Sequence, residues 1–126
     1  MALDYNHAAH TWNPAPQPEF RRFYDTFLEW REANNWSNTI ADELPEMFRA
    51  AGLRDVEARD EVESDFDRIT GMWTHMTETL GPALIEAGLI TEVGRLAARG
   101  ANEAWRLDEG REITLALRAV TGRVPA

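Results

Sequence analysis

The sequence predicts an α+β fold, mostly helical, with a small antiparallel sheet whose strands lie near 55–62 and 112–120 and include residues 2–6. Three observations predict it. Apolar residues recur at three- and four-residue spacing through four long segments, the period of amphipathic helices. Residues 112–120 alternate apolar and polar side chains, the period of a strand. Gly52, the pair Gly81-Pro82 and Gly88 fall between such segments, where chain punctuation belongs.

The elements follow in order. Leu3-Asp4-Tyr5 reads as the tail of a strand. Trp12-Asn13-Pro14-Ala15-Pro16-Gln17-Pro18 carries three prolines in five residues, so it must be extended or turning. Pro18 suits the first position of a helix over 19–34, whose apolar residues are Phe20, Phe23, Phe27, Leu28 and Trp30. Ser37 or Asn38 can cap a second helix over 39–51, with Pro45 expected to start a separate short helix and Gly52 to close it. The interleaved Leu53, Val56, Ala58 and Val62 predict a strand over 55–62. Ser64 is then placed to cap a helix over 65–80, built on Phe66, Ile69, Met72, Trp73, Met76 and Leu80. A short helix over 83–87 follows, and Thr91 caps a last one running to Asp108, with Leu96, Ala97, Ala101, Ala104 and Trp105 expected to face inward. No repeat or linker interrupts residues 1–126, which read as a single module. Two strands alone make a thin scaffold, so the sheet is expected to have further neighbours.

Composition excludes several chemistries. The 126 residues hold 22 acidic and 13 basic side chains, a net charge of −9, which repels nucleic-acid backbones and anionic membranes. Every basic residue is Arg, so a Lys Schiff base is excluded, and the absence of Cys removes thiol nucleophiles, disulfides and thiolate metal sites. No apolar run approaches the roughly 20 residues of a membrane span. The start of the chain has no basic and apolar leader, so a cytoplasmic protein is expected. There is no G-x-G-x-x-G, G-x-x-x-x-G-K-[ST], G-x-S-x-G or H-E-x-x-H, so nothing here cradles a nucleotide.

Chemically capable residues are few. Asp4, His7 and His10 stand at i, i+3 and i+6 and could ligate a metal, with a plain loop as the competing reading. Trp73 and His75 lie two positions apart on the third helix; Trp73 reads as core, or the pair shapes a pocket. Arg21 and Arg22 could clamp an anion, but read more simply as solvated. The acidic stretch over 60–67 lacks the central Gly and the spacing of a calcium loop.

Taken in order, these pieces resemble the C-terminal half of a class I S-adenosylmethionine-dependent methyltransferase. Leu3-Asp4-Tyr5-Asn6-His7 resembles the end and exit turn of that family's fifth strand. Leu44-Pro45-Glu46-Met47-Phe48-Arg49-Ala50-Ala51-Gly52-Leu53-Arg54-Asp55-Val56 resembles its late helix, turn and sixth strand. Residues 113–120 resemble its seventh strand, which inserts antiparallel next to the fifth. The helices between, with Leu80-Gly81-Pro82 and the run from Glu86 to Glu92, resemble its substrate-side insertion.

The resemblance implies a partial Rossmann-like domain whose S-adenosylmethionine motifs, a glycine-rich turn and an acidic residue, would precede Met1. No cofactor-binding residue can therefore be assigned, and none is expected to bind this chain alone. It implies Tyr5, Asn6, His7, Trp73 and His75 as substrate-binding positions, with His7 as the candidate acceptor base. The expected partner is a second copy or a missing N-terminal half, with a small organic molecule as substrate. The competing reading is a non-catalytic module that binds a small ligand or a protein and forms oligomers.

Overall fold

A computed structural model describes residues 1–107 and 111–126. Its elements are β1 (Ala2–Tyr5), a 3₁₀ turn (His7–Ala9), β2 (Thr11–Asn13), α1 (Pro18–Ala33), α2 (Ile40–Ala50), β3 (Arg54–Glu63), α3 (Phe66–Thr79), α4 (Gly81–Glu86), α5 (Glu92–Leu107) and β4 (Glu112–Arg123). The class is α+β, with one four-stranded sheet gathered around β4. The chain divides into two compact units. The first comprises residues 1–10, 37–63 and 114–126, and the second 11–36 and 64–113.

In the first unit β4 is the middle strand, and both neighbours run antiparallel to it. β1 pairs from Ala2 opposite Val120 to Tyr5 opposite Leu117, and β3 from Arg54 opposite Arg123 to Glu63 opposite Leu115. β1 and β3 therefore point the same way, and their carboxyl ends lie together. Between Arg54 and Glu57 the β3 strand takes three steps against two on β4, a bulge in which Asp55 turns to φ 51°.

α2 covers the sheet face carrying the even-numbered residues of β4. Asp42 on its first turn reaches Arg118, and at its other end Phe48, with Leu53 just beyond, lies a tight 3.2 Å from where a Cβ on Gly122 would stand. Val120, on the same face by alternation, is fully buried. α2 ends in a Schellman motif. Gly52 at φ 87° donates its N–H to the Arg49 carbonyl, and Leu53 donates to that of Phe48. Gly88 closes α4 in the same way, with bonds to Ile85 and, from Leu89, to Leu84.

The second unit is a helical cluster with an aromatic core. Phe20, Phe23, Tyr24 and Phe27 on α1 are almost wholly buried, Phe20 and Tyr24 meet Trp73 on α3, and α5 packs against both α1 and α3. Trp105 on α5 stacks on Phe66 at 5.5 Å and donates its indole N–H to the Pro14 carbonyl at 3.2 Å. Tyr24 lies edge-on to Trp73, their centroids 5.2 Å apart, and burial raises its hydroxyl pKa above the ordinary value.

Several sequence expectations need correction. α2 runs through Pro45 as one helix; a proline there removes a single intrahelical bond and the helix continues. Neither Ser37 nor Asn38 caps it, since Thr39 holds the cap position. Asp65, not Ser64, caps α3, its carboxylate accepting the Arg68 N–H at 3.1 Å. The buried face of α3 is Ile69, Thr70, Trp73 and Thr77, rather than the all-apolar set. The two threonines can sit inside because their hydroxyls donate to the Phe66 and Thr74 carbonyls of their own helix.

On α5 the inward residues are Ala98, Ala101, Asn102 and Trp105, while Leu96, Ala97 and Ala104 are exposed. Asn102 belongs inside because its amide donates to the Thr70 carbonyl at 3.1 Å and to the Thr74 hydroxyl at 2.9 Å. Thr91 caps α5 as expected, accepting the Gly94 N–H at 3.0 Å, whereas the expected helix end at Asp108 lies outside the described residues. No helix of the described residues is long and apolar enough to cross a membrane.

Candidate functional site

The site begins where β1 leaves the sheet. Its last ladder residue is Tyr5, and the Asn6 N–H then reaches the Ala116 carbonyl of β4 at 2.9 Å. Beyond that point the chain folds into the 3₁₀ turn, with Ala9 donating to the Asn6 carbonyl and His7 to the carbonyl of buried Asn38. Where the ladder would continue, a side chain takes over. The Ala116 N–H donates to His10 Nδ1 at 3.0 Å.

That bond defines the state of His10. A ring accepting at Nδ1 carries its proton on Nε2 and is neutral. Burial, with nearby His7 adding to it, pushes the His10 pKa down to about 4. His10 is thus a structural acceptor at neutral pH, and His7 is the more exposed of the two imidazoles. Three rings converge here: His7 and His10 lie 5.2 Å apart, Tyr5 and His10 5.8 Å, and Tyr5 and His7 6.0 Å.

A polar chain braces the turn. Asn6 donates its side-chain amide to Asp42 at 3.3 Å, Asp42 pairs with Arg118 at 3.3 Å, and Arg118 pairs with Asp60 at 2.7 Å. It links the β1 exit to α2, β4 and β3 in succession. Arg118 and Asp42 are half-exposed and Asp60 stands in solvent, so the chain orients the turn more than it stabilises the fold.

The structure thus brings together Tyr5, Asn6, His7 and His10. Trp73 and His75 belong to the second unit. Trp73 is 2% exposed and surrounded by Trp12, Phe20 and Tyr24, while His75 is exposed on α3. Two positions apart on a helix, they point in different directions.

Asp4, His7 and His10 do not form a metal-binding group: among the described residues no cluster of three His, Cys, Asp or Glu side chains is placed to hold a metal ion. Asp4 instead accepts the Tyr5 N–H at 2.7 Å, and His10 Nδ1 is committed to Ala116.

Sequence reasoning missed Asp42, Arg118 and Asn38. Asp42 and Asn38 join the site only through contacts more than thirty residues away in the chain. Arg118 did carry a signal, as a lone cation in the otherwise apolar and neutral run over 113–120.

Two surface depressions of this unit lie elsewhere. A depression of about 590 Å³ forms at the β3 bulge between Asp55, Glu57 and Arg123, and a second of about 240 Å³ between Met1, Arg59 and Ala119. Both sit towards the amino ends of β1 and β3. Asp55 and Arg123 stand well out in solvent, which makes the first a wide surface hollow rather than a binding cleft. The carboxyl end of β1 holds Tyr5, and Asn6 and His7 follow it. No family model matches the chain, and no curated protein does either.

Proposed function

We propose that these residues form the acceptor-side portion of a class I S-adenosylmethionine-dependent methyltransferase acting on a small organic molecule, and that they do not catalyse methyl transfer alone. One observation carries the reading. β4, which resembles the seventh strand, lies hydrogen-bonded and antiparallel beside β1, which resembles the fifth. The strand resembling the sixth, β3, pairs on β4 as well. The carboxyl end of β1 then presents Tyr5, Asn6 and His7, where His7 would take a proton from the acceptor or orient it.

The residues present do not fit the cofactor. Each described glycine lies within or at the end of a helix, or in β4, and none opens a turn between a strand and a helix N-terminus. The turn after β1 has no glycine, and the N–H groups of Asn6 and His7 are already held by the Ala116 and Asn38 carbonyls. No reaction step is therefore assigned to S-adenosylmethionine on this chain.

Calorimetry tests the reading. Titration of the chain with S-adenosylmethionine is expected to release no binding heat, and stoichiometric binding would overturn this assignment of the chain to the acceptor side. A second reading, a non-catalytic interaction module that forms oligomers, is favoured by a different observation, the apolar outer face of α5.

A further inference from the structure

The outer edge of β3 is open. The bond from the Asn6 N–H to the Ala116 carbonyl sets the phase of the ladder: even-numbered residues of β4 turn their N–H and C=O groups to β1, so the odd-numbered ones turn theirs to β3. In the register of β3 on β4, Arg59, Glu61 and Glu63 then bond to Ala119, Leu117 and Leu115. Ala58, Asp60 and Val62 turn their main-chain groups the other way, and among the described residues no strand pairs with them there. All three are exposed, Val62 to 73%.

Unpaired strand edges are normally kept short or blocked. β1 follows that rule, with four residues and an outward Tyr5 N–H taken by Asp4 Oδ1 at 2.7 Å. β3 does not. From Glu57 to Glu63 it keeps one register for seven residues, about 23 Å of strand.

The side chains along this run decide what fits. It carries four carboxylates, Glu57, Asp60, Glu61 and Glu63, and one guanidinium, that of Arg59, which is bound to Glu61 at 2.5 Å. Glu57, Glu61 and Glu63 share one face of the strand by alternation. A second copy pairing β3 on β3 would set this acidic row against itself, in a chain that already carries a net charge of −9. A strand with Lys or Arg at alternate positions meets the row with the opposite sign, and Val62 on the other face gives it an apolar neighbour.

We propose that the outer edge of β3 binds an extended, basic segment of a partner protein, added to the sheet as a further strand. Main-chain bonds to Ala58, Asp60 and Val62 attach it. The carboxylates select it and speed its encounter. This inference does not rest on the methyltransferase reading.

Amide hydrogen exchange followed by NMR tests it, with a synthetic eight-residue peptide of alternating Lys and Thr as the probe. In the chain alone the Ala58, Asp60 and Val62 amides should exchange fast, and those of Arg59 and Glu61 slowly. Saturating peptide should slow the first three about tenfold or more. Fluorescence anisotropy then reads the selection. Glu57→Gln combined with Glu61→Gln should weaken binding about tenfold, and a peptide of alternating Glu and Thr should not bind. N-methylation of every second peptide residue distinguishes an added strand from a loose ionic contact. Methyl groups in one phase should abolish binding, and in the other leave it intact, because only alternate amides bond to β3. Three amides left unprotected at millimolar peptide, equal binding of the Glu-Thr peptide, indifference to the double substitution, or equal effects of the two N-methyl phases would each overturn the inference.

Discussion

Replacing His10 by asparagine should reverse the stability order of the two proteins between neutral and acidic pH. His10 is 7% exposed and holds the Ala116 N–H at its Nδ1. An asparagine Oδ1 occupies nearly the same position, so the bond is kept while the titrating group is removed. The folded chain holds His10 near a pKa of about 4, against an ordinary 6.5. The unfolded chain therefore binds a proton first as the pH falls. The neutral ring is without penalty above pH 6.5; stability is lost from there down to about pH 4, below which the loss is complete. A shift of about 2.5 units corresponds to about 3 kcal/mol. The carboxylates also titrate in this range, but they are common to both proteins and cancel in the difference.

Urea denaturation of wild type and His10→Asn at pH 7.5, 6, 5 and 4 measures that difference. The wild type should be equal to the variant or better by about 1 kcal/mol at pH 7.5, and worse by about 2 kcal/mol at pH 4. Parallel stability curves would refute the reasoning, because they would mean that His10 titrates alike in both states and does not take over the β4 ladder as a buried neutral acceptor.

Three further outcomes follow from the same structure. Trp73→Ala should cost about 3–5 kcal/mol by emptying the aromatic core, while His75→Ala, two residues away but exposed, should change the unfolding free energy by less than about 0.5 kcal/mol. Asn102→Ala removes the amide that ties α5 to α3 and should cost about 1–2 kcal/mol by chemical denaturation. The two glycine substitutions should have opposite signs: Gly52→Ala forces a Cβ onto φ 87° and should destabilise by about 1 kcal/mol, whereas Gly100→Ala should stabilise the monomer by a similar amount in thermal melts under dilute conditions.

Legibility in the sequence followed how local each determinant was. Pro18 at the start of α1, Gly52 and Gly88 at left-handed helix ends, and the alternation in β4 act within a few residues, and each could be read directly. α5 was misread because it is apolar on two faces. Periodicity then offers two inward sides, and the one actually buried includes a polar residue, Asn102, made tolerable only by partners on α3. Pro45 misled for a related reason, since a local rule against proline inside helices gave way to the packing of α2 on the sheet. At the candidate site, the exit turn of Tyr5, Asn6 and His7 was visible, but its braces were not. Asp42, Arg118 and the Ala116 N–H reach it only through pairing across the fold, which residue spacing does not encode.

The most direct test of the central proposal is methyl transfer itself, measured with labelled S-adenosylmethionine in a protein that joins these residues to a cofactor-binding half. If His7 serves the acceptor, His7→Ala should lower kcat by about a hundredfold while S-adenosylmethionine affinity stays unchanged. Unchanged kcat would contradict the role assigned to the β1 exit, and with it the acceptor-side reading of this chain.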